Sequence, residues 1–324
     1  MSEYKTIRGQ KVQVISSDPS NPQNGQIWFN STSNEIKLTK VTTTGSWASG
    51  AALGTARSRS AGAGTQTAAL NLGGDEGPPA KSVLTEHYDG SSWTAGGNLS
   101  TGRNQSRGCG VQTAALLVGG FSPPSTNAVE EYNGSSWTAG GNYPGAYRTV
   151  GMTGTQTAAL GFGGRGWVNT TFEYNGSSWT AGGNYPAPAD RLGSAGTQTA
   201  GLGWGGWSPA LPGRYDTSNH YDGSSWTSGG TLVNAMHAMA SSGTQTAALS
   251  AGGSHASPSN NSNTYVYDGS TWTSETSLPQ SFQMGQGSQS SPSTAASVFG
   301  GISATPNNFE FTGAGQLIET VTSS

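Results

Sequence analysis

Charged residues are scarce in this chain of 324 residues, making up 10% of it with a formal net charge of −3. Lysine and arginine form no basic run, so nucleic-acid binding through counter-ion release has no basis in the sequence. A single cysteine, Cys109, excludes an internal disulfide and the disulfide-stapled class of secreted domains. No apolar run approaches the roughly 18 residues of a membrane span. The opening stretch MSEYKTIRGQKVQV lacks the apolar core of a signal peptide.

The chain is rich instead in repeated phrases. YNGSSWT or a close variant occurs five times, and GTQTAALxxGG recurs in step with it at intervals of roughly 45 residues. The tryptophans that share the register of the first phrase are Trp47, Trp93, Trp137, Trp179, Trp226 and Trp272. An active site is needed once, so a phrase repeated this often predicts a structural role, with the tryptophans mostly buried between neighbouring units.

Each unit contains four short runs typical of β-strands and no helical periodicity. We name these strands a to d from the inside outward: a is small and glycine-rich, b ends in Gly-Gly, c ends in tyrosine and d begins with tryptophan. Asn-Gly or Asp-Gly between c and d indicates a hairpin with a tight I′-type turn. Four-stranded units of this length, arranged radially, predict an all-β β-propeller, and a solenoid is the structural alternative.

The blade number depends on how the two ends of the chain are aligned. Residues 46–57, SWASGAALGTAR, align without gaps on SWTAGGNLSTGR at 92–103. At the other end, EFTGAGQLIETV aligns on EYNGSSWTAGGN with Gln316 in the tryptophan position. The sequence thus predicts seven four-stranded blades, with residues 1–53 as a divergent first blade and 54–324 as the other six. The alternative is six blades closed by the strand of Trp47, with the first forty residues outside the ring.

A strand ending in Gly-Gly, then Tyr, Trp and finally Arg resembles the kelch-type propeller from Arg57 to about Val321. This resemblance implies the kelch-like fold and little about function. The arginine keeps its register at Arg57 and Arg103 and shifts at Arg148 and Arg191.

The N-terminal region carries a second resemblance. SSDPSNPQNGQIWFNSTSNEIKL followed by GSW is similar to a motif of bacteriophage virion and tail-fibre proteins, and the polar repeats resemble kelch-like proteins of marine phages, especially cyanophages. This resemblance implies a virion component, associated with the tail or a fibre and used in host attachment.

No pattern of catalytic, metal-binding or cofactor-binding residues is visible in the sequence. His87 and His220 share a repeat position with glutamate and valine, which indicates an exposed face of strand c rather than a metal site. Cys109 lies on a small inner strand and is interpreted as a buried hydrophobic residue.

The repeated carboxylates are interpreted as turn residues. Asp89, Asp222 and Asp268 alternate with Asn133 and Asn175, and Asn can replace Asp in a turn but not as a general acid. DGSSW partly resembles the Asp box of sialidases, but its Asp–Trp spacing differs and the sequence shows no arginine cluster for a carboxylate substrate. The sequence also lacks the residue pattern of a copper site like that of galactose oxidase.

The b–c loops differ between units, whereas the turns at the opposite end are nearly constant. Function commonly resides on variable loops over a rigid scaffold. Trp167 and Trp207 lie in such loops of adjacent units, beside Arg165, Arg214 and Tyr215. These residues are candidates for stacking on a sugar or contacting a protein, and packing of the loops is the alternative interpretation.

Three function classes follow. The first is a non-enzymatic virion protein whose loop face binds a host-surface glycan or another virion protein. The second is a lectin-like propeller outside any virion, and the third is a glycan-active enzyme. The inner strands predicted here consist of Gly, Ala, Ser and Thr, which disfavours the enzyme because clustered ionisable groups are expected at an active site.

Overall fold

The computed structural model describes residues 12–20, 25–42, 44–77, 80–209, 213–256, 259–301 and 304–321. The chain forms two units, one of Met1–Gly45 with Gly313–Ser324 and one of Ser46–Thr312. Every regular element in the described ranges is a β-strand. No helix long and apolar enough for a bilayer crossing occurs in those ranges.

The first ten strands are β1 (Gln13–Ile15), β2 (Ile27–Asn30), β3 (Glu35–Thr42), β4 (Ser46–Ser49), β5 (Ala61–Thr65), β6 (Ala68–Leu72), β7 (Asp75–Gly77), β8 (Ala80–Lys81), β9 (Thr85–Tyr88) and β10 (Trp93–Ala95). The next are β11 (Arg107–Val111), β12 (Ala114–Val118), β13 (Val129–Tyr132), β14 (Trp137–Ala139), β15 (Gly151–Gly154), β16 (Ala159–Phe162), β17 (Thr171–Tyr174) and β18 (Trp179–Ala181). Then follow β19 (Gly193–Gly196), β20 (Gly201–Trp204), β21 (Trp207–Ser208), β22 (Gly213–Arg214), β23 (Thr217–Tyr221), β24 (Trp226–Thr231), β25 (Ala240–Thr244) and β26 (Ala247–Ala251). The last are β27 (Ser254–Ala256), β28 (Ser259–Asn260), β29 (Thr264–Tyr267), β30 (Trp272–Glu275), β31 (Gly285–Gly287), β32 (Ala295–Gly300), β33 (Asn308–Thr312) and β34 (Gly315–Thr320).

The larger unit contains, in the described residues, six four-stranded antiparallel sheets. Their strand orders are β5-β6-β9-β10, β11-β12-β13-β14, β15-β16-β17-β18, β19-β20-β23-β24, β25-β26-β29-β30 and β31-β32-β33-β4. We number these sheets 1 to 6. The first strands of successive sheets are neighbours, and β31 of sheet 6 also neighbours β5 of sheet 1. This arrangement is β-propeller-like, as the sequence predicted.

The first strands approach one another closely enough to require glycine. A Cβ atom on Gly62 of β5 would lie 2.6 Å from the carbonyl oxygen of Gly287 in β31. A Cβ on Gly108 of β11 would lie 2.6 Å from the carbonyl oxygen of Gly62. Since real Cβ atoms do not approach this closely, the small residues of strand a are set by neighbouring backbones.

The smaller unit is one four-stranded sheet, β1-β2-β3-β34, in which β1 pairs parallel to β2. Polar side chains within this unit contact one another. The Asp18 carboxylate accepts hydrogen bonds from Trp28 Nε1 at 2.9 Å and Asn30 Nδ2 at 2.8 Å, and Trp28 is completely buried. Several of the exposed large apolar side chains of the described residues belong to this unit, among them Val14, Ile27 and Ile36.

The pairing at the two chain ends differs from the predicted first blade of residues 1–53. Strand β4, which carries Trp47, pairs with β33, and β34 pairs with β3. Trp47 lies opposite Phe311, so it fills the tryptophan position that Gln316 was aligned on. The gap-free alignment was right about the type of strand and wrong about its partner, because an outer strand can pair with a sheet from either end of the chain.

The repeated tryptophans lie between consecutive sheets. Their Nε1 atoms donate hydrogen bonds to the preceding sheet or to the segment that follows it: Trp47 to Thr264 Oγ1, Trp93 to the Ala51 carbonyl, Trp137 to Thr85 Oγ1, Trp179 to the Gly141 carbonyl, Trp226 to Thr171 Oγ1 and Trp272 to Ser218 Oγ, at 2.7–3.1 Å. Only Trp272 of these six is buried, at 5% exposure; the others are half-buried. These exposures agree with the prediction of mostly buried side chains, and the remaining exposure follows from strand d being the outermost of each sheet.

The glutamine of the TQT phrase, which reads VQT at Gln112, hydrogen-bonds to the backbone of the preceding sheet. Nε2 of Gln112, for example, donates to the carbonyls of Ala69 at 3.1 Å and Tyr88 at 2.7 Å in the preceding sheet. Gln156, Gln198 and Gln245 repeat this pair of bonds. Gln66 of sheet 1 makes the same pair with Ala296 and Phe311 of sheet 6, at 3.2 and 2.8 Å.

The tyrosine that ends strand c explains why the position just before it holds histidine in some repeats and glutamate in others. The hydroxyl of each tyrosine pairs with the residue at that position in the preceding sheet: Tyr88 with Glu310, Tyr132 with His87 at 2.6 Å, Tyr174 with Glu131 at 2.5 Å, Tyr221 with Glu173 at 2.6 Å and Tyr267 with His220 at 2.8 Å. The prediction of a merely exposed strand face is wrong, because each of these side chains is a partner for a hydroxyl.

We call the contact between two consecutive sheets a joint. The sixth joint, between sheets 5 and 6, has an apolar contact in place of this hydrogen bond. Val266 of sheet 5 occupies the acceptor position, and the tyrosine position of sheet 6 holds Phe311. Val266 packs against the core cluster that contains Phe311. Both partners have therefore changed together, from a hydrogen-bonding pair to an apolar pair.

We expect this joint to accept the hydrogen-bonding pair only when both residues change. Val266→Glu alone places a carboxylate against an apolar cluster, and Phe311→Tyr alone places a hydroxyl beside valine. The double variant should recover stability, with a favourable coupling of about 1 kcal/mol or more in a double-mutant cycle measured by denaturant unfolding. The reverse cycle, Glu173→Val with Tyr221→Phe, serves as the matched control. Additive effects in both cycles would show that the two positions do not interact.

The half-buried tryptophans should still stabilise the sheets. Trp137→Ala removes its contact with Tyr132, whose ring centroid lies 4.7 Å away, and the hydrogen bond to Thr85. We expect a loss of about 3 kcal/mol, at the low end for such truncations because one edge of the indole faces solvent. Trp137→Phe should lose less, since the ring contact remains. Wild-type thermal stability of the alanine variant would contradict a role between sheets.

Candidate functional site

Six segments meet where the inner strands of the larger unit begin. Just before each inner strand stands a non-glycine residue with φ between 52° and 61°: Arg59, Gln105, Thr149, Arg191, Ala238 and Met284. From Gln105 onward, the amide of each donates to the carbonyl of its predecessor in this series at 2.8–3.1 Å, and Arg59 donates to Gly301. Left-handed backbone is unfavourable for such residues, so these bonds between sheets offset a local cost. We call these six residues the left-handed ring.

The left-handed ring brings together arginines that are far apart in sequence. Asp190, fully buried, lies 3.9 Å from Arg165 Nη1 and 3.9 Å from Arg191 Nε. Arg107 and Arg148 also act electrostatically on its carboxylate. We call Asp190 with Arg107, Arg148, Arg165 and Arg191 the arginine cluster. The expectation that the chain has no arginine cluster is therefore wrong.

Burial and like charge determine the protonation of this cluster. Burial raises the pKa of Asp190, and the neighbouring arginines, Arg191 first, oppose that shift. Burial lowers the pKa of Arg107 to about 10, which leaves it charged at neutral pH. His237, next to the cluster, has its pKa lowered to about 4 by burial and then by Arg191 and Arg214, so it is neutral.

Of the five loop residues singled out from sequence, Arg165 belongs to this cluster, and the other four lie near it. The rings of Trp167 and Trp207 are 5.7 Å apart between centroids, and both side chains are half-buried. Cζ of Arg165 lies 5.2 Å from the centroid of Trp167. Arg214 of β22 lies opposite Trp207 of β21 in the antiparallel pairing of these strands, and the Tyr215 hydroxyl donates to the Pro188 carbonyl at 3.3 Å.

The backbone connects the tryptophan pair to the cluster. Asp190 and Trp207 exchange both backbone hydrogen bonds, at 3.0 and 2.9 Å. Cζ of Arg191 lies 5.7 Å from the centroid of Trp207. The candidate site is therefore continuous from Trp167 and Trp207 to Arg148 and Arg191. Sequence reasoning found its aromatic half and missed its charged half.

The two arginines that keep the same register in successive repeats form buried ion pairs. Arg57 pairs with Glu86 and also donates to the carbonyls of Gly73 and Leu84. Arg103 pairs with Glu130 at 2.7 Å. The equivalent positions of the third sheet hold Tyr147 and Phe172, which cannot form this ion pair.

The remaining candidates have structural roles. Burial raises the pKa of the Cys109 thiol to about 12, and its Sγ lies 3.8 Å from the Thr155 carbonyl. No three His, Cys, Asp or Glu residues within the described ranges are placed to hold a metal ion.

The repeated Asp and Asn residues form side-chain turns between strands c and d. Asp222 Oδ1 accepts from the backbone amides of Ser224 and Ser225, both at 2.8 Å, and Asn133 makes the equivalent bonds. The hairpin is thus confirmed, but its turn is not the predicted I′ type. Four residues separate Tyr221 from Trp226, and the positive φ, 93°, belongs to Gly223.

Comparison with known proteins leaves the function to be inferred from these side chains. The chain matches no protein-family model, and no curated protein matches its sequence.

The turn assignment predicts how Asp222 responds to substitution. Hydrogen bonds, that from the Ser225 amide foremost, lower the pKa of this carboxyl from 3.8 to about 2. Its ionised form therefore contributes stability above pH 4, and that contribution is lost as the pH falls through 2. Asp222→Asn should melt like the parent at pH 7 and lack this pH dependence, whereas Asp222→Ala should melt lower at pH 7. Thermal melts of the three proteins from pH 2 to 7 measure this, and a destabilised Asn variant at pH 7 would contradict the turn assignment.

Proposed function

We propose that the protein is a non-enzymatic attachment component of a virion, and that its variable-loop face binds a glycan on the host surface. The observation that carries the proposal is the contact between Trp167 and Trp207 with Arg165 stacked beside them. The loops that carry these residues diverge among repeats, and neither tryptophan occupies the repeated position between sheets. Aromatic rings provide binding area for the apolar face of a sugar without any catalytic group.

The virion assignment has separate support. The phage-like motif of the N-terminal region supplies β2 and part of β3 to the sheet of the smaller unit, and in it Trp28 and Asn30 donate hydrogen bonds to Asp18. A dedicated unit next in sequence to a propeller-like unit suits a protein that both assembles and binds. Tail or fibre genes beside its gene, or its detection in purified particles, would support this assignment; a gene setting with no virion genes would contradict it.

We also infer a ring of six kelch-like blades, with β4 as the outer strand of the sixth. Support comes from contacts that run once around six sheets. Gln66 and Tyr88 of sheet 1 contact sheet 6 as their equivalents contact the preceding sheets, and Trp47 contacts sheet 5 as a tryptophan of sheet 6 should. A limited-proteolysis or crystallographic result in which β4 lies outside sheet 6 would contradict this.

A lectin-like propeller outside any virion is the second candidate, because the tryptophan and arginine pairing serves glycan binding in either setting. The gene-neighbourhood result above separates the two.

The binding proposal predicts that the double variant Trp167→Ala/Trp207→Ala loses glycan binding while the sheets remain folded. Loss of two stacking surfaces should weaken binding at least tenfold, since each aromatic anchor of this kind contributes roughly 1–2 kcal/mol or more. Glycan-array binding measures the effect, and a thermal melt checks the fold. Val111→Ala, an exposed apolar residue at the opposite ends of the strands, is the control and should bind normally. Undiminished array binding by the double variant would place the site elsewhere.

A further inference from the structure

The arginine cluster carries more positive charge than its own carboxylate can balance. Arg107, Arg148, Arg165 and Arg191 all act on Asp190, so four cations share one anion. Arg59 and Arg214, which lie close by, have other partners: Arg59 pairs with Asp75 at 3.3 Å, and Arg214 donates to Ser254 Oγ at 3.4 Å. His237 is neutral and adds no charge. The surplus stands out in a chain with only 14 lysines and arginines.

Partial burial makes this surplus costly. Arg107 and Asp190 are buried, whereas the side chains of Arg191 and Arg165 are 23% and 37% exposed. Burial lowers the pKa of Arg148, and the positive charges of Arg165 and Arg191 lower it further. Charges removed from water are stable when paired, so an unbalanced group of guanidinium ions favours an anion from solution.

The cluster also has unused hydrogen-bonding atoms. Within the described part of the chain, Nε of Arg148, Nε of Arg191 and both carboxylate oxygens of Asp190 are buried and have no hydrogen-bond partner. The 3.9 Å separations between Asp190 and its arginines are too long for hydrogen bonds. Buried polar atoms of this kind are normally satisfied, so the pairing within the cluster is incomplete.

We propose that the arginine cluster binds the carboxylate of an acidic sugar, whose ring lies against the Trp167–Trp207 pair. This inference rests on the proposed glycan-binding function and specifies its ligand class. Arg165 connects the two halves of the site, because it lies beside Asp190 and over the ring of Trp167. Guanidinium groups match carboxylate geometry and bind it through charge-assisted hydrogen bonds.

The aromatic half of the site distinguishes an acidic sugar from a simple anion. Inorganic phosphate would occupy the arginines and leave the tryptophans uncontacted. A pyranose that bears a carboxylate offers an apolar C–H face and a negative group on one rigid ring, which is what the two halves require. Uronic acids and sialic acids share this chemistry.

The experiment compares charged and uncharged forms of one sugar. Probes are tetragalacturonate with its methyl ester, and sialyllactose with lactose, titrated by calorimetry and followed by tryptophan fluorescence. We expect at least one acid to bind about tenfold or more tightly than its uncharged counterpart, the weaker limit of a charge-assisted hydrogen bond. Arg148→Gln and Arg165→Gln should each remove most of that preference while retaining weak binding of the uncharged sugar.

The controls separate this inference from the proposed function. Lys37→Gln removes one positive charge from the smaller unit and should bind like the parent. Thermal melts check that the arginine variants fold, and the half-exposed Arg165 supplies the second variant if Arg148→Gln is unstable.

Three outcomes would overturn the inference. Equal affinity for charged and uncharged sugars, lost on Trp167→Ala, would leave glycan binding standing without the acidic preference. Tetraglutamate or inorganic phosphate binding more tightly than either acidic sugar through the same arginines would refute the carbohydrate assignment. Absence of binding to every sugar tested would overturn both this inference and the proposed function.

Discussion

The structure depends on the contact between the face of one sheet and the face of the sheet before it. A four-stranded sheet with a glycine-rich inner strand buries little apolar surface alone. Each joint in the described residues therefore has an indole N–H that bonds toward the preceding sheet, and all but the sixth add a tyrosine hydroxyl and a glutamine amide. These three side chains belong to the repeated phrases, so the repetition in the sequence reflects a repeated joint rather than a repeated site. The apolar pair of Val266 and Phe311 shows that a joint needs two complementary side chains at these positions, which can be either apolar or hydrogen-bonding.

Part of this organisation could be predicted from single units. Hairpins, four strands per unit, and the turn role of residues such as Asp222 follow from short stretches of sequence, because their partners lie within a few residues. The partner of Trp47 and the partner of His87 could not be predicted in this way. Each contact joins residues of different units, and an alignment of units shows that positions are equivalent without showing what they touch.

In the candidate site, too, one part could be predicted from the sequence and the other could not. Trp167 and Trp207 were identifiable because they break the repeat. Arg148 and Arg191 looked like displaced members of a kelch-like arginine position, and nothing local indicated that they share Asp190. The left-handed backbone at the start of each inner strand assembles them, and positive φ at Thr149 or Arg191 has no reliable signal in the residue type. A useful sign in retrospect is that most arginines of this chain stand within a few residues of an inner strand or directly after a Gly-Gly pair.

The pairing of β4 with β33 has a consequence for biosynthesis. The ribosome makes residue 46 long before residue 312, so the outer strand of sheet 6 exists early and has no sheet to join. Sheets 1 to 5 can form in order as the chain emerges, each on the one before it. Sheet 6 requires both ends of the larger unit at once, which makes its assembly the step with the greatest separation along the chain within that unit and places it after translation of that unit. Until then, the free edge of β33 and the unpaired β4 are exposed strand edges, and a second nascent chain nearby could exchange them.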